Sequence, residues 1–218
     1  MIFKFADNRD PNSLASRLRA RRNQKFGSMV VKLPRPLTIL DVGGTETVWE
    51  TVGFVGDPSV SITILNVYPF TPSHGNVSSV IGDARNMHQF REGQFEVVYS
   101  NSVIEHVGSI ADRQQMAREI QRVGKRYFVQ TPSRYFPIEP HFLFPFFQFL
   151  PRPVQVSLLQ RFALGWVGRM PVRREAERAV DSIYLLSASE LRSLFPSANI
   201  QKERVFGLTK SIIAYNMQ

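Results

Sequence analysis

The chain contains no cysteine. That absence excludes disulfides, zinc-thiolate centres and thiol nucleophiles. Histidine is scarce, four in 218 residues and scattered, so no metal cluster stands out and none is expected. Long apolar runs are missing too. The most apolar region, Phe142 to Leu150, is shorter than a membrane span and is broken by Pro145. Internal repeats and low-complexity segments are absent. Met1 to Asp7 lacks a basic region leading into an apolar run and a cleavage site, so no signal peptide is expected. A cytoplasmic, soluble protein is the default.

What is present suits one globular unit. A chain of 218 residues with 43% hydrophobic and 21% charged residues can bury one substantial core, and it is short for two domains. The expectation is a single domain over 1–218, with a basic helix and linker over 1–36 and an insertion over 134–180. Basic residues exceed acidic ones, 27 to 18, for a formal charge of +9. That invites an anionic partner such as nucleic acid, acidic lipid or a phosphorylated substrate, or is simply a basic surface.

Asn12 or Ser13 can cap a first helix through Leu14, Leu18 and Arg21 towards Phe26, with Gly27 as its stop. Arg17, Arg19, Arg21, Arg22 and Lys25 make it strongly basic. With few apolar positions it is expected to pack weakly or to lie over the sheet edge as a lid. Leu37 to Val42 is an apolar, β-branched run, the mark of a buried parallel strand. Gly43 and Gly44 follow, then Thr45-Glu46-Thr47, which can open a helix. Strand, glycine turn and helix start together build a nucleotide site in α/β sheets. Asp41, at the strand's carboxyl end, is an acceptor aimed at that crevice and suits a ligand with a cationic end.

Ser61 to Val67, Val77 to Ile81, Phe95 to Ser100 and Tyr127 to Thr131 read as further strands. Asp112 to Val123 reads as an amphipathic helix with Met116, Ile120 and Val123 facing the sheet. The stretch from Thr131 to Pro151 is crowded with proline and phenylalanine, so a long helix is forbidden there. Arg134 to Met170 reads as a substrate-facing cap, as a subdomain core, or as a homodimer contact. Glu139 and His141 inside it are titratable groups in aromatic surroundings. Ser187 caps a helix, and Asn199 to Phe206 with Ser211 to Tyr215 form two closing strands.

Asp41-Val-Gly43-Gly44 resembles the first motif of class I S-adenosylmethionine (SAM) methyltransferases, with Thr45 where a third glycine is usual. Gly82-Asp83-Ala84 resembles the segment that reads the adenine in that family. Asn101-Ser102-Val-Ile-Glu105-His106 closely resembles the fourth motif of its small-molecule and lipid branch, the type 11-like methyltransferases. The resemblance covers Leu37 to Thr131 and the closing strands in outline. It implies an α/β, doubly wound, Rossmann-like seven-stranded sheet with a Pro/Phe-rich helical cap after the fifth strand. It also implies SAM as cofactor and S-adenosylhomocysteine as product. Asp41, Gly43, Gly44, Thr45, Asn66, Asp83, Ala84, Ser100 and Asn101 become the cofactor-side residues, Asn66 standing where the family has an acidic residue. Asp83 has a second reading, as a cap for the next short helix. His106, His141 and Glu139 are the catalytic candidates, His106 being either structural or a group that orients substrate or removes a proton.

The expected activity is methyl transfer to a small, partly apolar or lipid- or glycan-linked acceptor, with peripheral contact to an anionic membrane. Two alternatives stand beside it. One is a SAM-fold binding or regulatory protein without catalysis. The other is an RNA or protein methyltransferase, disfavoured because no Asn/Asp-Pro-Pro-Tyr-type motif follows the fourth strand.

Overall fold

The computed structural model describes residues 13–218. Met1 to Asp7, and Asn12 as a candidate cap, lie outside the described residues. Seven strands form one sheet: β1 (Leu37–Val42), β2 (Val60–Asn66), β3 (Val77–Ile81), β4 (Val97–Asn101), β5 (Tyr127–Pro132), β6 (Asn199–Val205) and β7 (Leu208–Asn216). Their order is β3-β2-β1-β4-β5-β7-β6. The first five pair in parallel, and β7 runs antiparallel between β5 and β6. This is the class I methyltransferase arrangement that the sequence motifs imply.

Both sheet faces are covered, because alternate residues of the inner strands are apolar on each side. On one face Leu40, Val42 and Val98 pack against Met116 and Ile120 of α3 (Ile110–Val123) and Leu191 of α6 (Ala188–Leu194). Both helices open with a reciprocal cap, Ser109 with Asp112 and Ser187 with Glu190. On the other face Ile39, Val97 and Tyr99 pack against α1 (Leu14–Val30) and α2 (Glu46–Val52).

The first helix departs from expectation. Ser13 caps it, accepting from the Ser16 amide, but it runs through Gly27 to Val30. Gly27 is a close-approach position: a Cβ there would meet Val52 of α2 at 3.2 Å. The extra turn brings in Val30, one turn beyond Phe26, and both are fully buried. The Phe26 ring lies 4.7 Å from that of Tyr99 and 5.2 Å from that of Phe128. A helix expected to pack weakly is therefore docked firmly, by a short apolar stripe at its end rather than a long one along its length.

Between β5 and α6 the chain folds a subdomain from a short 3-10 turn at Phe147–Phe149, α4 (Arg152–Arg161) and α5 (Arg173–Asp181). Phe142, Phe147, Val156, Leu159 and Ala176 form its own core, the first two rings 4.4 Å apart. Its base is stitched to the sheet. Arg134 N–H donates to the Leu186 carbonyl at 2.9 Å, and the Tyr184 ring lies between the Arg113 and Arg134 guanidiniums at 4.2 and 4.6 Å. No helix among the described residues is long and apolar enough to cross a membrane.

Candidate active site

The sheet register brings the predicted cofactor-side residues to one edge. Val42 pairs with Leu65 and with Ser100, and Asn66 pairs with Ile81, so β1 to β4 end together. Here the strand order diverges from β1 in both directions, the place where open α/β sheets bind ligands. Gly43 holds φ at +74°, where a Cβ would lie 2.7 Å from Val103. A Cβ on Gly44 would fall on the Asp41 carboxylate. Thr45 is exposed and starts α2 without a side-chain cap. Asn66 lies across the turn, its side-chain N–H directed at the Gly44 carbonyl at 3.4 Å.

Asp41 does not open onto the crevice. It is fully buried beneath the turn, one oxygen accepting from the Trp49 indole at 2.8 Å and the other without a partner. Burial pushes its carboxyl up to about 7, against the pull of the Trp49 hydrogen bond. Ser100 is sealed as well, its hydroxyl donating to the Val42 carbonyl at 3.2 Å. Ala84 is half-buried against the core.

Asp83 accepts from the Arg85 amide at 2.8 Å and from its guanidinium at 2.6 Å, and that hydrogen bonding holds its carboxyl below the usual range. Among the described residues, the short helix it was expected to cap is absent between β3 and β4, and Asp83 instead shapes its own turn with Arg85 as partner. The Asn101 side-chain oxygen accepts from Arg22 at 2.6 Å.

Arg22 is the residue that sequence reasoning missed. Only 7% exposed, it donates to both Glu203 oxygens at 2.9 and 2.7 Å, to Asn101, and to Gln130 at 3.0 Å. One side chain of α1 thereby joins the ends of β4 and β5 to β6. Five arginines and lysines crowd the sequence from Arg17 to Lys25, and only its spacing of four residues from Phe26 sets Arg22 apart from them.

The three catalytic candidates converge, and the histidines are not all scattered as expected. The His106 and His141 rings meet edge to face, 4.8 Å between centroids. Glu139, 2% exposed, holds His141 Nδ1 at 2.6 Å and also accepts from the His141 and Phe142 amides. Beside them lies Glu105, 1% exposed, with one oxygen accepting from Thr131 at 2.9 Å and the other unpartnered. One ligand-type atom each from Glu105, His106 and His141 lies within 4.8 Å of the others, so the group could hold a divalent cation.

The cluster separates its two imidazoles electrostatically. Burial and the neighbouring His141 push His106 below its ordinary value. Burial would push His141 down too, but the Glu139 carboxylate outweighs it and His141 sits above its ordinary value. Burial raises Glu105 to about 7. Groups driven apart in this way can divide acid and base roles.

A cavity of about 500 Å³ opens beside the ends of β4 and β5. Its wall combines Leu14, Arg17, Arg19 and Arg22 of α1, Asn101, Ser102 and Gln130 from the strand ends, and Phe136, Ile138, Pro140 and Leu143 of the cap. Val205, Phe206 and Lys210 of the terminal hairpin complete it. Glu139 turns the other way and lines a smaller cavity of about 340 Å³ with Arg134 and Tyr184.

Residues 66–127 match the family model described as a methyltransferase domain. No curated protein is detectably related in sequence. Among solved structures the chain is similar to the CurJ carbon methyltransferase, with a TM-score of 0.61 and 11% identity over 93% of this chain and 55% of that one. A SAM dependent methyltransferase from Aquifex aeolicus gives a TM-score of 0.52 at 13% identity, covering 98% and 95% of the two chains. The YcgJ protein from Bacillus subtilis gives 0.53 at 15%, covering 84% and 70%. The chain spans about half the length of the CurJ structure, and identities this low establish the fold alone.

Proposed function

We propose that the chain is a SAM-dependent methyltransferase acting on a small, partly apolar or lipid- or glycan-linked acceptor. One observation carries the reading. The segment that matches the methyltransferase model runs from the end of β2 to β5, and it delivers Asn66, Asp83 and Asn101 to the edge where the glycine turn leaves the sheet. That edge offers open backbone and neutral polar groups to a cofactor, while Asp41, the residue suited to a cationic end, stays beneath the turn. The turn exposes backbone at Gly43 and Thr45, and Asn66 supplies a neutral polar group beside it.

Bound there, SAM would supply the methyl group. The chain's own residues hold the acceptor and manage its proton. The 500 Å³ cavity next to Ser102 is the acceptor side, its apolar cap wall excluding water from the reacting pair. A hydroxyl acceptor needs a base. His106, neutral near pH 7 because burial and His141 depress it, is suited to take that proton. His141, raised by the Glu139 carboxylate that holds it, is the more readily protonated of the two and packs its ring edge to face on His106. The segments 102–106 and 138–143 carry this cluster and also contribute Ser102, Ile138, Pro140 and Leu143 to the cavity wall.

Calorimetric titration with SAM and S-adenosylhomocysteine, on the wild type and on Gly44→Ala, tests the cofactor site. Binding by the wild type, weakened at least about tenfold when the new methyl meets the Asp41 carboxylate, is the expected result. Equal affinity in both proteins would move the cofactor away from the turn. A second reading, a binding protein without turnover, is favoured by one observation: Asp83 is already committed to Arg85. SAM binding without S-adenosylhomocysteine release across a broad acceptor panel would favour that reading.

A further inference from the structure

We infer that the large cavity takes an amphipathic anion, with its carboxylate or phosphate head on Arg19 and Lys210 and its apolar body along Ile138, Leu143 and Phe206. The inference rests on the assignment of this cavity to the acceptor and narrows the acceptor's chemistry. Three observations support it.

The first is the charge balance of the wall. Among the described residues, four cations line the cavity and no carboxylate does. The nearest candidate counter-ion, Glu203, has both oxygens bound to Arg22. Arg22 is satisfied in this way. The side chains of Arg17, Arg19 and Lys210 make no hydrogen bond or ion pair with any described residue.

The second is their environment. Arg19 and Lys210 are half-buried, and both are pushed below their ordinary values by burial and then by the charge of Arg22. Positive charge held out of water beside more positive charge is costly, and an anion placed between the two groups removes that cost. Arg presents a planar fork that fits two oxygens of a carboxylate or phosphate, while Lys adds a point charge.

The third is the apolar part of the wall. Ile138 and Leu143 come from the cap, and Phe206 stands at the tip of the terminal hairpin with 96% of its surface exposed. Phe206 holds φ at +50°, followed by Gly207 at +80°. A bulky apolar residue in that backbone region, uncovered and facing a cavity, is unfavourable in the free protein. An alkyl or prenyl-like body lying along the cavity would cover it. A volume of about 500 Å³ lies within the range of sites for ligands of this size.

The test is a binding series on the full chain, using decyl phosphate, decanoate, decanol and inorganic phosphate below the micellar range, with SAM titrated in parallel. Both decyl anions are expected to bind at least about tenfold more tightly than decanol and than inorganic phosphate. Their ratio tells a phosphorylated source from a carboxylic one. The double variant Arg19→Gln/Lys210→Gln should bring the anions down to the affinity of decanol and leave decanol unchanged. Phe206→Ser removes a side chain that packs on little else. It should weaken all three decyl ligands about fivefold and leave inorganic phosphate unchanged. Decanol binding as tightly as the anions, phosphate binding as well without its chain, or charge variants without effect would each overturn the proposal. Amphiphile binding without SAM binding would sink the methyltransferase reading and leave this one standing. SAM binding with none of the amphiphiles bound would do the reverse.

Discussion

The two sides of the sheet's carboxyl edge are built differently. The glycine-turn side, over β1, β2 and β3, is made of short contiguous segments, 41–46, 66 and 82–85. Its polar groups satisfy one another within the same or neighbouring loops, as Asp83 does with Arg85 and Asn66 with Gly44. The cavity side, over β4, β5 and the hairpin, draws on α1, the strand ends, the cap and the hairpin tip. Its central link, Arg22 to Glu203, joins residues 181 positions apart. One side is set by local chain chemistry and the other by assembly, so one should survive insults that dismantle the other.

Arg22→Met is the largest such insult. It leaves Glu203, whose side chain is 13% exposed, without its partner, takes the Arg22 donor from Asn101, and leaves Gln130 with the Ser102 hydroxyl alone. Breaking a buried pair by removing one member costs about 3 kcal/mol or more. The thermal midpoint should fall by several degrees and amphiphile binding should disappear, while SAM affinity falls much less. An equal loss at both sites would erase the contrast between them.

Asp41→Asn probes the locally built side through pH. The folded carboxyl titrates at about 7 and the unfolded one near 3.8, so the folded state holds the extra proton between those values. Stability therefore falls as pH rises from about 4 to about 7 and levels off above. Glu105, also raised to about 7, adds a fall of the same sign. Asn cannot ionise and still offers an oxygen to Trp49. The variant should lose roughly half of that pH dependence and be the more stable protein at pH 8, by about 1–3 kcal/mol. Thermal unfolding of both proteins from pH 5 to pH 8 checks this. Parallel curves would mean that Asp41 is not buried as described.

Phe206→Ser should change stability least, within about 0.5 kcal/mol, because the ring is uncovered. Its chemical-denaturation midpoint should match the wild type while its amphiphile affinity falls. A clear stability loss would mean that the ring packs against something in solution, which would sharpen the cavity's wall rather than open it.

The first side was largely legible in the sequence. Strands β1 to β5 follow from apolar runs punctuated by glycine and proline, and β3 falls where the pattern puts it, at Val77–Ile81. The glycine turn, Asn66 and Gly82-Asp83-Ala84 were identifiable because their chemistry sits within a few residues of each strand end. The direction of Asp41 was not. A carboxylate at a strand end reads as a ligand acceptor, and only the packed Trp49 and the missing Gly44 side chain turn it beneath the loop.

On the second side, His106, His141 and Glu139 were each noticed separately, while their meeting with Glu105 depends on how the cap folds back over the short turn Ile104–His106 that follows β4. The docking of α1 was underestimated because its buried stripe is only Phe26 and Val30, beyond the glycine expected to end it. Arg22 could have been flagged only by its i, i+4 relation to Phe26, which places it on the buried face.

By itself the sequence determined the alternation of strands and helices, the two closing strands, the glycine turn and the excess of positive charge. Those properties arise from hydrophobic period, backbone conformational freedom and composition, which act over a few residues at a time. Only the tertiary structure decided which arginine is buried, which cations are left without partners, and which histidines touch. Burial and pairing depend on what the rest of the chain brings to within a few ångströms, and the energy of a charge is set by that company.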